Sequence, residues 1–258
     1  MDREFETADG KLLARNDEQG VLRIVLNNPS SHNSLTGGML DGLRLLFAQA
    51  SSDVDVRVIL VKGFGDKAFA SGADISEQAE RAAKGITNPD RGSFVDDLLS
   101  CSKPVVAMIR GYCLGGGLLV AMAADIRIAS DDAVFGIPAT RLGVAYPLAG
   151  IDLLVDLVGR AAATEIMLLG ERFDAVKAKE IGLVTRVSPG SEIDHHTEEL
   201  LLTLLGNAPL SLAAAKASIA HARDVERRGT PTVRRQIDDV WASGDAAEGM
   251  DAFFGNRP

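Results

Sequence analysis

Apolar positions recur along the chain with two different periods, and the switches between them mark out the elements. Val21-Leu22-Arg23-Ile24-Val25-Leu26 is a short apolar run closed by the turn residues Asn27-Asn28-Pro29, which predicts a strand. Met39, Leu43, Leu46 and Phe47 then fall at helical spacing and predict an amphipathic helix over residues 36–50. A second strand is predicted over 57–61, closed by Gly63-Phe64-Gly65. A short third, over 67–70, runs into the small-residue loop Ser71-Gly72-Ala73-Asp74. Residues 77–91 are polar, interrupted by Gly85 and Asn88-Pro89, and read as a mobile loop or a broken helix.

Residues 105–109 have the unbroken apolar character of a strand buried on both faces, entered through Lys103-Pro104. They lead through Gly111-Tyr112-Cys113-Leu114 into Gly115-Gly116-Gly117 and an apolar helix over 118–123. Further strands are predicted over 126–129 and 184–187. Between them, Asp174 is a suitable N-cap and Gly182 a suitable stop for a helix over 175–181. From about residue 192 strand patterns disappear and helical ones dominate. This order predicts an α/β core over 1–191 and a helical region over 192–258, with no linker between them.

Composition narrows the function more than the fold. A chain of 258 residues with 27 Lys and Arg against 36 Asp and Glu has net charge −9, which argues against a general nucleic-acid surface. A phosphate-bearing ligand stays compatible, because local basic groups and helix N-termini hold phosphate on an acidic protein. Cys101 and Cys113 are too few for a disulfide framework and show no metal-ligand spacing. The opening Met1-Asp2-Arg3-Glu4 lacks the apolar stretch of a signal peptide. The longest apolar run, 111–124, is too short and glycine-rich for a membrane span. The expectation is a cytoplasmic protein that binds neither membrane nor nucleic acid.

The two glycine loops carry the chemistry. Gly115-Gly116-Gly117 stands where a strand turns into a helix, so its N–H groups are expected to be unpaired at the positive end of the helix dipole. Ser71-Gly72-Ala73 is a second small-residue loop after a strand. Fixed N–H donors aimed at a carbonyl oxygen stabilise the negative charge of an enolate, and glycine or alanine lets a substrate approach them. Taken singly, each loop also fits a tight turn or close helix packing.

With their flanks the loops become specific. Lys67-Ala68-Phe69-Ala70-Ser71-Gly72-Ala73-Asp74-Ile75 resembles the coenzyme A and first oxyanion-hole motif of the crotonase superfamily, the enoyl-CoA hydratase/isomerase family. Gly111-Tyr112-Cys113-Leu114-Gly115-Gly116-Gly117 resembles its second oxyanion-hole motif. Asn28-Pro29 with Asn33-Ser34-Leu35, Phe135-Gly136-Ile137-Pro138 and residues 174–187 are similar to further family segments, in order over almost the whole chain. The resemblance implies a spiral of strand-strand-helix turns and a C-terminal helical region that builds a trimer or a dimer of trimers. It also implies an acyl-CoA substrate, with coenzyme A entering as part of the thioester and no separate cofactor or metal. Carried over, Ala73 and Gly116 supply the oxyanion donors and the Ser71 carbonyl meets the adenine amino group. Lys67 and the His32–Asn33 turn lie near the nucleotide end. Phe253, Phe254 and Arg257 touch coenzyme A on a neighbouring subunit. Lys67 equally reads as a solvated lysine, and His32 as a turn residue.

The chain departs from the hydratases where their chemistry resides. The two glutamates that hold and deprotonate water in that family correspond to Leu119 and Ala139, neither of which moves a proton. Leu142-Gly143-Val144-Ala145-Tyr146 is instead similar to the methylmalonyl-CoA decarboxylase branch, although Ala73 stands where that branch carries histidine. Decarboxylation or isomerisation through a thioester enolate is therefore expected ahead of hydration by a relocated acid–base group, with a silent acyl-CoA binder as the third reading. Tyr146 is either a catalytic residue beside the substrate or a core tyrosine with a satisfied hydroxyl. Glu77 is either a group reaching the acyl pocket or a solvated residue. Asp74 reads as a loop cap, Arg141 as a loop salt bridge or a carboxylate partner, and Cys113 as a small buried residue. His195, His196 and His221 suggest neither a triad nor a metal site. Neither glycine loop carries the nucleophile elbow of a serine hydrolase.

Overall fold

The computed structural model describes residues 3–7, 9–74 and 92–223. The chain opens with an antiparallel meander of β1 (Arg3–Thr7), β2 (Leu12–Asn16) and β3 (Val21–Leu26). Asp9 and Gly10, at φ +54° and +77°, turn the first hairpin through left-handed backbone that both residue types tolerate. From β3 onward pairing is parallel, through β4 (Val58–Gly63), β6 (Val105–Ile109), β8 (Ile126–Ser130) and β11 (Arg186–Ser188). These complete a seven-stranded sheet in the order β1-β2-β3-β4-β6-β8-β11. A four-stranded sheet takes the shorter strands β5 (Ala68–Ala70), β7 (Tyr112–Leu114), β9 (Val134–Gly136) and β10 (Arg172–Asp174), in the order β10-β9-β7-β5.

Each turn of the chain places one strand in the first sheet, the next in the second, and then a helix. Thus β4 and β5 precede α2 (Gly92–Leu99), β6 and β7 precede α3 (Gly116–Met122), and β8 and β9 precede α4 (Leu148–Leu169). This is the expected spiral of strand-strand-helix turns. The helix before them, α1 (Gly37–Ser52), is capped by Thr36, whose hydroxyl accepts from the Met39 N–H, and it buries Met39, Leu43, Leu46 and Phe47. After α4 come α5 (Ala175–Glu180), capped by Asp174, then α6 (Ile193–Gly206) and α7 (Pro209–Arg223).

The large sheet is covered on both faces. Ile59, Val61, Val105, Ala107 and Ile109 join one core with the buried faces of α1, α2 and α3, while Val58, Leu60, Val106 and Met108 pack with Ile193, Leu200, Leu201 and Leu204 of α6. Double coverage is why these strands read as continuous apolar runs and not as an alternation. Each leucine that α6 buries there contributes about 1.5–3 kcal/mol.

Several expected boundaries move. The strand expected over 184–187 is Arg186–Ser188, because Leu183 and Val184 turn their side chains into the core before the pairing begins. The helix expected over 118–123 starts at Gly116, and the polar stretch 77–91 lies outside the described residues. Strands β7, β9 and β10 are three residues each, too short to show a period of two. Helix α4 escapes periodic reading because Gly159, at φ +74° and ψ +162°, breaks its register.

Arg127 is a buried residue that the sequence pattern does not single out. Only 4% exposed, its guanidinium donates to the carbonyls of Leu183 (2.6 Å), Met122 (3.4 Å) and Ala124. Burial lowers its pKa to about 10, opposed by the negative charge of Asp125. The contact ties the carboxyl end of α3 to the segment that leads into β11.

Candidate active site

Strands β5 and β7 lie side by side and parallel, so the loops leaving their carboxyl ends meet. The meeting is close because of what glycine omits. A Cβ on Gly117 would stand 2.3 Å from the Ala70 carbonyl oxygen, so α3 can start against β5 only with hydrogen there. A Cβ on Gly116 would stand 3.1 Å from the Ala73 nitrogen. Gly72 and Gly115 turn the two loops at φ +121° and +49°, backbone that L side chains rarely adopt.

The glycine N–H groups are not all unpaired, which corrects the simplest expectation from sequence. Gly115 donates to the Gly136 carbonyl (2.9 Å), because the neighbouring strand β9 runs alongside. The N–H groups of Ala73 and Gly116, by contrast, donate to no acceptor among the described residues. Around Ala73 the loop is pinned from both sides. Leu35 donates to the Gly72 carbonyl (2.8 Å) and Asp74 donates back to the Leu35 carbonyl (2.9 Å). Ser71 donates its N–H to His32 and its hydroxyl to Ser31, each at 3.0 Å. Among the described residues no donor reaches the Ser71 carbonyl.

A cavity of about 450 Å³ opens over these two loops. Leu119 and Ala139 stand in its wall beside Ile137, Leu142, Val144 and Tyr146, and no lining side chain among the described residues is a carboxylate, an imidazole or a cation. The Tyr146 hydroxyl donates to the Gly115 carbonyl at 3.0 Å. Burial pushes its phenol well above the usual tyrosine range, with the nearby Cys113 adding to the shift. Cys113 is fully buried and desolvation pushes its thiol far up as well, so it stays a neutral packing residue. The arrangement can take an apolar acyl group, with two N–H groups that meet no acceptor among the described residues close together for a carbonyl oxygen. Among the described lining side chains the ionisable one is the Tyr146 phenol, whose proton goes to the Gly115 carbonyl.

The other residues singled out from sequence fall nearby, in different roles. Asn33 is buried, and its side chain bonds the protein itself, donating to Phe64 (3.1 Å) and Ala68 (2.7 Å) and accepting from the Asn28 N–H (3.0 Å). His32 is exposed, in left-handed backbone, with its ring edge-on to Tyr112 at 6.2 Å. Lys67 is exposed, and its carbonyl accepts from the Tyr112 N–H. Arg141 is exposed and does not line the cavity. Glu77, Phe253, Phe254 and Arg257 lie outside the described residues. Two neighbours carried no sequence signal. Arg172 sits 5.3 Å over the Tyr112 ring, and Gly150 lies under Tyr146 and Leu119. Among the described residues no group of His, Cys, Asp and Glu is placed to hold a metal ion.

Comparison with known proteins gives a consistent result. Residues 16–258 match the family model described as enoyl-CoA hydratase/isomerase. The 2,3-dehydroadipyl-CoA hydratase of Escherichia coli (strain K12) is 31% identical over 241 residues, covering 93% of this chain and 94% of that protein. The mitochondrial enoyl-CoA hydratase of Pongo abelii is 31% identical over 254 residues, covering 98% and 87%. The crystal structure of enoyl-CoA hydratase from Bacillus anthracis superposes with a TM-score of 0.83 at 29% identity, covering 98% of this chain and 96% of that one.

Proposed function

The chain belongs to the enoyl-CoA hydratase/isomerase family of the crotonase superfamily, and from that premise we propose that it decarboxylates a 2-carboxyacyl-CoA thioester through an enolate. Ala73 and Gly116 bind the thioester oxygen through their N–H groups, and the Ser71 carbonyl receives the adenine amino group of coenzyme A. One observation carries this reading. Two N–H groups with no acceptor among the described residues belong to a cavity lined by Leu119 and Ala139, the positions that the resemblance gives to the carboxylates of hydration. Loss of carbon dioxide needs no base. The electron pair of the breaking C–C bond becomes the enolate, whose charge rests on the oxygen held by the two N–H groups. Water then protonates the carbon, and the hydroxide it leaves combines with the carbon dioxide as bicarbonate. Apolar walls favour the neutral products over the carboxylate ground state, provided the two N–H donors stay in place.

The relatives' names favour a second reading, hydration of a 2-enoyl-CoA. In this chain that chemistry requires a proton-moving group such as Glu77.

Purified protein assayed with malonyl- and methylmalonyl-CoA, and separately with crotonyl-CoA, distinguishes the two. The expected result is carbon dioxide and the shortened thioester from the former, with no loss of the conjugated absorbance of the latter. Crotonyl-CoA hydration that falls with Glu77→Gln, without decarboxylation, would replace the first reading by the second.

A further inference from the structure

The Tyr146 hydroxyl carries one proton, and it is directed at the Gly115 carbonyl oxygen, 3.0 Å away. That oxygen already accepts from the Leu119 N–H, also at 3.0 Å, so both its lone pairs are engaged. The carbonyl belongs to the same peptide unit as the Gly116 N–H, and the peptide is trans. In a trans peptide the C=O and the following N–H point in opposite directions. Fixing one fixes the other. We propose that Tyr146 is a positioning residue, whose hydroxyl holds and polarises the Gly115–Gly116 peptide so that the Gly116 N–H stays presented to the substrate carbonyl.

The Leu119 N–H already holds this carbonyl from one side, and the tyrosine adds a second hold. Glycine flanks the unit on both sides, with Gly115 at φ +49° and ψ −116°, so no Cβ at either end restrains it. A flipped unit would show the substrate a carbonyl oxygen where a donor is required. Polarisation adds to orientation. A hydrogen bond accepted by an amide oxygen strengthens the donor at the same amide's nitrogen, by about 10–30% in condensed-phase terms.

Tyr146 is itself held by an independent feature. A Cβ on Gly150 would stand 2.8 Å from Tyr146 Cε1 and 2.7 Å from Leu119 Cδ1. Gly150 thus leaves the space in which the tyrosine ring and the leucine lie together. The leucine that replaces the family's glutamate is one wall of this slot. With its proton engaged at Gly115 and its phenol held neutral by burial, the hydroxyl acts on the reaction through the backbone, not by handing a proton to the enolate.

This inference rests on the assignment of Ala73 and Gly116 as oxyanion donors, so the test must separate the two. The probe is butyryl-CoA, isotopically labelled at the thioester carbonyl and bound to the full chain, read by the infrared carbonyl stretch. No turnover is needed. Wild-type protein is expected to lower the stretch relative to the free thioester. Tyr146→Phe is expected to bind with a Kd within about threefold of wild type but to lose a large part of the shift, with kcat falling about tenfold and KM near unchanged, less than the 10²–10³ of a lost donor. Gly150→Ala keeps the hydroxyl but displaces the ring, so it is expected to lose shift in the same direction. It also decides the matter if Tyr146→Phe fails to fold. A full wild-type shift retained in the folded variant would overturn the positioning role and leave the donor assignment standing. No shift in wild type would overturn the donor assignment, and the inference with it.

Discussion

The Asn33 side-chain amide donates to the Ala68 carbonyl across 2.7 Å, joining a turn near the start of the chain to the strand that delivers the Ser71–Ala73 loop. The same amide donates to Phe64 and accepts from Asn28, all in a site where Asn33 is 1% exposed. Asn33→Ala leaves three partners unpaired at about 1–3 kcal/mol each, so a total loss of roughly 3 kcal/mol or more is expected. The measurement is the urea midpoint at unchanged m-value. A loss below about 1 kcal/mol would mean that water replaces the amide and the latch is unimportant.

Gly116→Ala tests the pair of free donors without removing either. The new methyl would stand 3.1 Å from the Ala73 nitrogen and crowd it. Obstruction of one donor is expected to lower kcat by about 10²-fold. Thermal unfolding should stay within a few degrees of wild type. Unchanged turnover would show that the oxygen binds elsewhere.

Leu119 and Ala139 offer the converse experiment. If their side chains are what withholds hydration, Leu119→Glu combined with Ala139→Glu should create crotonyl-CoA hydration. Each single change should fall short of the double by about 10² or more, the scale of one general acid–base group. Leu119→Glu buries a carboxylate beside Gly150, so lower stability is expected with it. Hydration by the unmodified chain at a comparable rate would show that the two positions do not decide the chemistry.

Tyr146 gives the chain an alkaline stability limit. A tyrosine phenol in the unfolded chain ionises near pH ~10, and burial raises the folded value. Below pH ~10 both states hold the proton and the full stability is present. Above it the unfolded state releases its proton first, so stability falls as pH rises toward the folded pKa. Urea unfolding from pH 8 to 11 should show a decline that is shallower in Tyr146→Phe, and the phenolate absorbance of Tyr146 should appear only with unfolding. A decline equally steep in the variant would assign the limit to other groups.

Much of this protein is set by local chemistry and was legible without the fold. Val105–Ile109 read as a doubly buried strand because its side chains are apolar on both faces, and Asp174 caps its helix by a local bond. The two small-residue loops were legible for the same reason, since glycine and alanine at these positions are themselves the condition for close approach. The sequence alone also determined that Leu119 and Ala139 cannot move protons. What it could not determine is where polar atoms find their partners, because those partners lie far away along the chain. Gly115 donates to Gly136, Tyr146 donates to Gly115, and Arg127 reaches Leu183. Only the tertiary structure decided that Gly115 donates its N–H while those of Gly116 and Ala73 meet no acceptor among the described residues. It also decided that the Tyr146 hydroxyl meets the backbone of the Gly115–Gly116 peptide, because satisfying a buried hydroxyl depends on which carbonyl packing leaves within 3.0 Å.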